Sequence, residues 1–190
     1  MKNIVIFASG SGSNAENIAD YFKDSKTVKI TAVFTNNANA GVISKMEKFG
    51  IPCVVFTKED FKSREYFTIK LYQYRPDLIV LAGFLWLIPN YLVNAYPNKI
   101  INIHPALLPK FGGKGMYGMH VHEAVKAANE TETGITIHYV NSKFDDGKII
   151  FQAKTILTEQ DTPETIAQKI HELEMNNFPV EIEQILSKVN

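Results

Sequence analysis

The sequence predicts an α/β fold: a Rossmann-like, mostly parallel sheet with helices on both faces, then a C-terminal β-hairpin plus helix. Three observations predict it. Short β-branched runs alternate with stretches of helical spacing as far as Ile103. Those runs are continuously apolar, as strands are when both faces of a parallel sheet are covered. Beyond Pro105 two β patterns flank a long connection, the mark of an antiparallel pair.

Taken in order, Ile4–Ala8 reads as a strand and Asn14–Lys23 as a helix. Val28–Phe34 is the next strand, followed by a helix near Val42–Phe49 and a strand at Val54–Phe56. Phe61–Tyr74 carries apolar residues at helical spacing and is read as one helix, ended by Pro76. Leu78–Leu81 and Ile100–Ile103 are further buried strands. Lys110–Gly118 is a glycine-rich loop, and Val121–Asn129 a helix. Gly134–Val140 and Ile149–Leu157 form the hairpin around Asp145-Asp146-Gly147. Asp161-Thr162-Pro163-Glu164 starts the last helix, with a cap, Pro in the first turn and then Glu. Pro179 is expected to break or kink that helix before Ile182–Leu186. The 190 residues suit a single domain, with 1–105 as a phosphate-binding half and 106–190 as a catalytic-loop half.

Twenty basic and twenty acidic residues cancel, so there is no bulk field to hold a nucleic acid or an anionic membrane. An anion must therefore be bound locally. The single cysteine, Cys53, excludes an internal disulfide and a thiolate zinc cluster. Met1–Phe7 is too short for a signal peptide and runs straight into a glycine loop, and no apolar stretch approaches membrane-spanning length. A cytoplasmic protein is expected.

That loop, Ser9-Gly10-Ser11-Gly12-Ser13-Asn14, joins a strand to a helix. Glycines let the backbone approach an anion, and a helix N-terminus offers free N–H groups. The spacing also matches a dinucleotide fingerprint. However, Thr35-Asn36-Asn37 stands where a ribose-binding carboxylate belongs, so a phosphate monoester fits better.

Asn102-Ile103-His104-Pro105 ends an apolar strand. Residues two apart share a face, so the Asn102 amide and the His104 imidazole point the same way. Two such donors suit an oxyanion. Thr136-Ile137-His138 repeats the alternation on a later strand, and Asp145 follows in a loop. A carboxylate near His104 is expected to raise its pKa and keep it charged. Histidine, asparagine and aspartate together fit acyl transfer without a covalent intermediate. His104, His120, His122, His138 and Asp145 have metal-ligand chemistry, but no ligand spacing is present and no metal is expected.

On these residues the chain resembles the phosphoribosylglycinamide formyltransferases, within the folate-dependent formyltransferases. The resemblance lies in Ser9–Asn14, Phe61–Glu65, Leu81–Phe84, Asn102–Pro109, Gly134–His138 and Asp145-Asp146-Gly147. The Asn-x-His-Pro-x-Leu-Leu-Pro run is specific to the wider group. The glycine loop and the length favour the narrower one over methionyl-tRNA formyltransferases and formyltetrahydrofolate hydrolases. The resemblance implies 10-formyltetrahydrofolate as co-substrate and 5′-phosphoribosylglycinamide (glycinamide ribonucleotide) as acceptor, in purine biosynthesis. The partners are then small molecules, with no nucleic acid and no membrane, and the protein a monomer or homodimer.

By motif, Asn102, His104 and Asp145 would be catalytic, Gly12, Ser13 and Asn14 would hold the phosphate, and Glu174 would meet the ribose. The folate site would take Arg64, Leu85, Trp86, Leu87 and Ile88. It would also take Asn102 and the loop Asn141, Ser142, Lys143, Phe144 and Asp145, which would make 106–190 the folate-binding as well as the catalytic-loop half. Two features depart from many relatives. Trp86 replaces an arginine or another polar residue, and Lys110–Gly118 is longer than usual.

Overall fold

The computed structural model describes residues 1–188. The chain runs β1 (Lys2–Phe7), α1 (Ser13–Phe22), β2 (Val28–Thr35), α2 (Val42–Glu47) and β3 (Cys53–Val55). It continues through α3 (Lys58–Lys62), α4 (Arg64–Tyr74), β4 (Leu78–Leu81), α5 (Asn90–Ala95) and β5 (Ile100–His104). It ends with α6 (Met119–Ala127), β6 (Glu132–Tyr139), β7 (Ile149–Ile156) and α7 (Pro163–Lys188).

The seven strands form one sheet in the order β3-β2-β1-β4-β5-β6-β7. The first five are parallel, and β6 and β7 are antiparallel to their neighbours. The α/β architecture is the one the sequence predicts. Alternation along β1 explains the continuous apolar strands. Ile4 and Ile6 enter a core shared with α1, α2 and α7, while Val5 and Phe7 enter an aromatic core with Phe34, Phe67 and Leu71. Strand order reverses between β1 and β4, so the chains leaving these two strands diverge and open a crevice there.

Two elements differ from expectation. Phe61–Tyr74 is not one helix. Thr57 and Asp60 form a capping box that starts α3 early, and Ser63, with extended backbone, ends it. The Ser63 hydroxyl then accepts from Tyr66 N–H and caps α4. Pro89, in extended conformation, precedes the unanticipated six-residue α5.

Of the break or kink expected at Pro179, the break does not occur: α7 is continuous from Pro163 to Lys188. A proline frees the carbonyl four residues earlier. Here that carbonyl belongs to Met175, and the Asn17 side chain on α1 donates to it at 2.8 Å. Phe178 and Ile182 are fully buried on either side of the proline, so packing holds the helix together where its own bond is missing.

Candidate active site

The phosphate loop leaves β1 and turns into α1 at Gly12, whose φ is 74°. A Cβ there would strike Val42 at 2.5 Å, so both conformation and space demand glycine. Gly12 offers no side-chain cap, and the first helical bond is Glu16 N–H to the Gly12 carbonyl. The N–H groups of the first turn are left for an anion. Asn14 lies behind them, 9% exposed, and donates its amide to the Glu174 carboxylate at 2.9 Å. Its carbonyl oxygen is buried without a partner.

The second cluster is made by β5 and β6. Their antiparallel register places His138 opposite Asn102 and Thr136 opposite His104. The His138 Nδ1–H donates to the Tyr139 carbonyl at 2.9 Å, which leaves Nε2 bare to accept from the Asn102 amide at 3.1 Å. The other Asn102 amide proton is directed to Asp145 Oδ1 at 3.4 Å. His104 Nε2 donates to the Phe111 carbonyl at 2.8 Å, and its Nδ1 lies 3.5 Å from Asp145 Oδ2. Asp145 Oδ2 also accepts from Gly113 N–H at 3.0 Å. Thus one carboxylate gathers Asn102, His104, His138 and a backbone amide of the glycine-rich loop.

Two backbone features aim that carboxylate. Asp145 itself has a positive φ of 52°. Gly147 lies so close to the Tyr139 carbonyl that no Cβ fits, which explains the glycine two residues on. Asp146 points away, to Asn141 at 3.1 Å. Thr136 shapes the turn after β5, donating to the Ala106 carbonyl at 2.7 Å and accepting from Leu108 N–H at 3.0 Å.

Charge at this cluster differs from expectation. Burial pushes the His104 pKa below the ordinary histidine value. Asp145 and the Phe111 carbonyl oppose this without overcoming it, and His138 adds to it. The 3.5 Å separation agrees, since charge-assisted bonds are typically about 2.7–2.9 Å. Burial therefore favours the neutral imidazole, where the sequence suggested a charged one. Burial favours protonation of Asp145 too, but His138, His104 and Gly113 N–H outweigh it and hold its pKa below the ordinary aspartate value.

A cavity of about 520 Å³ joins the two clusters. Of the sequence-predicted residues, Asn14, Glu174, Leu85, Trp86, Leu87 and Ile88 line it, as do Asn102, His104, Lys143, Phe144 and Asp145. Gly12 and Ser13 lie just behind Asn14 and are not among its walls. Arg64, exposed at the start of α4, also stands outside, as do Asn141 and Ser142 at the base of the acidic loop. The glycine-rich loop forms one wall from Gly113 to Gly118.

The sequence pattern of the family described as "Formyl transferase" matches residues 2–182. The chain belongs to the formyl transferase family. Within it, the chain is 38% identical over 195 residues to a Bacillus subtilis protein named phosphoribosylglycinamide formyltransferase, covering all of this chain and 97% of that one. An Arabidopsis thaliana protein of that name, chloroplastic, is 40% identical over 89% of this chain, which spans only 60% of its length. Among solved structures, the phosphoribosylglycinamide formyltransferase of Anaplasma phagocytophilum superposes with a TM-score of 0.90 at 33% identity, covering 98% of this chain and 87% of that one. The Bacillus halodurans enzyme of that name gives 0.86 at 36%, covering 100% and 97%.

Further groups at this candidate site were given no such role by the sequence. His138 entered it only as an alternation with Thr136 and, like His122, as a residue with metal-ligand chemistry. The Phe111 carbonyl and the Gly113 N–H are backbone groups and leave no signature. His122, 6% exposed with an unpartnered Nδ1, also faces the cavity. Among the described residues, no helix is long and apolar enough to cross a membrane.

Proposed function

We propose that the protein transfers the formyl group of 10-formyltetrahydrofolate to the amine of 5′-phosphoribosylglycinamide, a step of de novo purine biosynthesis. One observation carries this reading: the Asn102–His104–Asp145 cluster and the Asn14–Glu174 pair line one cavity. The acceptor's phosphate takes the free N–H groups of the first turn of α1, with Gly12, Ser13 and Asn14 around it. Its ribose meets Glu174. The amine then reaches back toward Asn102 and His104.

The donor takes the other end. Leu81, Phe84, Leu85, Leu87 and Val140 give a largely apolar lining suited to a flat ring system, and Lys143 and Phe144 line the cavity as well. Arg64, Asn141 and Ser142 act at most at the rim of this site. Both halves of the chain thus serve both substrates.

The chemistry follows from the hydrogen bonds. The neutral amine attacks the formyl carbon, forming a C–N bond, and negative charge develops on the formyl oxygen. The Asn102 amide turns its longer contact, to Asp145, over to that oxygen. Neutral His104 takes the amine proton through water. The imidazolium that results lies beside both Asp145 and the oxyanion, which stabilise it. As the intermediate collapses, the C–N bond to the folate breaks and the proton goes to the departing nitrogen. A single oxyanion donor is typically worth about 3–4 kcal/mol.

Hydrolysis of the donor needs no phosphorylated acceptor, and the Asn14–Glu174 end of the cavity counts against it. The reading keeps the protein in the cytoplasm, as a monomer or homodimer working on small molecules without nucleic acid. Incubation with both substrates followed by mass spectrometry should yield formylated glycinamide ribonucleotide and tetrahydrofolate. Formate in place of the formylated nucleotide would make the protein a hydrolase.

A further inference from the structure

Ser9 precedes the phosphate-holding residues and is not among the walls of the cavity, yet it is 8% exposed and has two partners on another segment. Its backbone N–H donates to the Gly83 carbonyl at 3.1 Å. Its hydroxyl accepts from Leu85 N–H, also at 3.1 Å. Just before them, Ala82 N–H donates to the Phe7 carbonyl at 2.9 Å. The pairing of β1 and β4 therefore continues past the ends of both strands. It runs first through main chain to Gly83, and then through a side chain. Gly83 has a φ of 74° and turns the chain away from the sheet line. Past that turn the Ser9 hydroxyl spans the gap to Leu85.

The two segments joined here are the two substrate loops. Ser9 leads into Gly10–Asn14, and Leu85 leads into Trp86, Leu87 and Ile88. The second loop is also held by packing, with Ile88 buried in the aromatic core. The Trp86 ring packs on Phe56, Phe61 and Phe84, with centroids 6.0, 5.9 and 6.4 Å away. The loop is thus pinned by an aromatic cluster at Trp86 and by the phosphate loop at Leu85.

We infer that Ser9 is a positioning residue linking the two half-sites, so that filling the phosphate end is transmitted through its hydroxyl to the folate loop. The inference rests on the proposed function for the placement of the two substrates. It gives the switch point of the sheet a role beyond shaping a crevice. A hydroxyl is needed because alanine at position 9 keeps the main-chain bond to Gly83 and releases only Leu85.

Trp86 makes the link measurable. It is the only tryptophan of the 190 residues, so intrinsic emission reports on the folate loop. Glycinamide ribonucleotide has no aromatic ring and adds no emission of its own, and the Ser9 variants separate a change relayed through the hydroxyl from direct contact with Trp86 in the cavity wall. Wild type and Ser9→Ala would be titrated with this ligand by fluorescence and by calorimetry, and the donor KM measured for both.

Wild type should show a saturable emission change with the calorimetric Kd. Ser9→Ala should still bind the acceptor, lose most of the emission change and raise the donor KM roughly three- to tenfold, the equivalent of one ordinary hydrogen bond. The kcat should change less than the KM. Ser9→Cys, close in size but a weaker acceptor, should fall between the two, and it serves as the test if the alanine variant does not fold. Full emission change in a Ser9 variant, or none in wild type despite calorimetric binding, would overturn the link. No acceptor binding by wild type would remove the proposed function itself, and the link with it.

Discussion

Asn14 donates its side-chain amide to Glu174 over 2.9 Å and so fastens the first turn of α1 to the middle of α7. The pair faces the cavity, and the Glu174 side chain is only 15% exposed. Burial raises the Glu174 pKa from 4.5 to about 7, with the Asn14 bond a partial offset. His171 is the other titratable neighbour, at 4.0 Å. A carboxyl whose pKa is higher when folded binds more protons in the folded state. Its contribution to stability is full below the unfolded value of 4.5 and is lost as pH rises toward 7.

Glu174→Gln should therefore be more stable than wild type at pH 8, by up to about 3 kcal/mol. The difference should shrink toward pH 4.5. Urea unfolding at several pH values measures it. A pH-independent difference would mean that Glu174 is not held protonated by its burial.

Asn14 is expected to serve the acceptor. Asn14→Ala should raise the acceptor KM about tenfold and leave the donor KM within about twofold, as the loss of one charge-assisted hydrogen bond implies. Steady-state kinetics with each substrate varied separately would decide. An unchanged acceptor KM would assign phosphate binding to the backbone alone.

His104 is expected to be neutral at rest and to take up a proton during the reaction. The acid limb of kcat should then lie below about 6.5, the ordinary histidine value. Removing the Asp145 charge should move it lower still, because the carboxylate opposes the effect of burial on the ring. His104→Ala should lose roughly two to four orders of magnitude in kcat while the fold persists by circular dichroism. A near-normal kcat would exclude His104 from the chemistry.

Much of this was legible in the sequence because strand signals are local. Ile4–Ala8 is apolar and buried at every position, Ile100–Ile103 departs from this only at Asn102, and Val28–Phe34 only at Lys29 and Thr31. The hairpin around Asp145 was legible for the same reason. The Ser63 break was not, because a helix-spaced pattern can cross a cap whose hydrogen bonds are made by side chains. Nor was the survival of α7 at Pro179, which depends on Asn17, 162 residues away in sequence but adjacent in space. In the site, face-sharing of Asn102 and His104 predicted their convergence. The sign of the His104 shift could not be read, because burial is a property of the packed structure. Here it outweighs a carboxylate 3.5 Å away.

The two neighbouring carboxylates separate cleanly. Asp145 touches Asn102, His104 and Gly113, whereas Asp146 is exposed and bonds only to Asn141 and Lys143 among the described residues. Asp145→Asn should lower kcat by about two orders of magnitude or more, and Asp146→Asn by less than twofold, because a solvated charge contributes little. Parallel assays of the two variants at saturating substrate test this. A crippled Asp146→Asn would shift the acidic position by one residue.

The most direct test of the whole account is the dependence of folate release on acceptor. Purified protein and 10-formyltetrahydrofolate are mixed with and without glycinamide ribonucleotide, and tetrahydrofolate is followed by absorbance. The Asn14–Glu174 end of the cavity predicts release only with acceptor, one folate for each nucleotide formylated. Equal release in its absence would contradict the transferase and leave a donor hydrolase in its place.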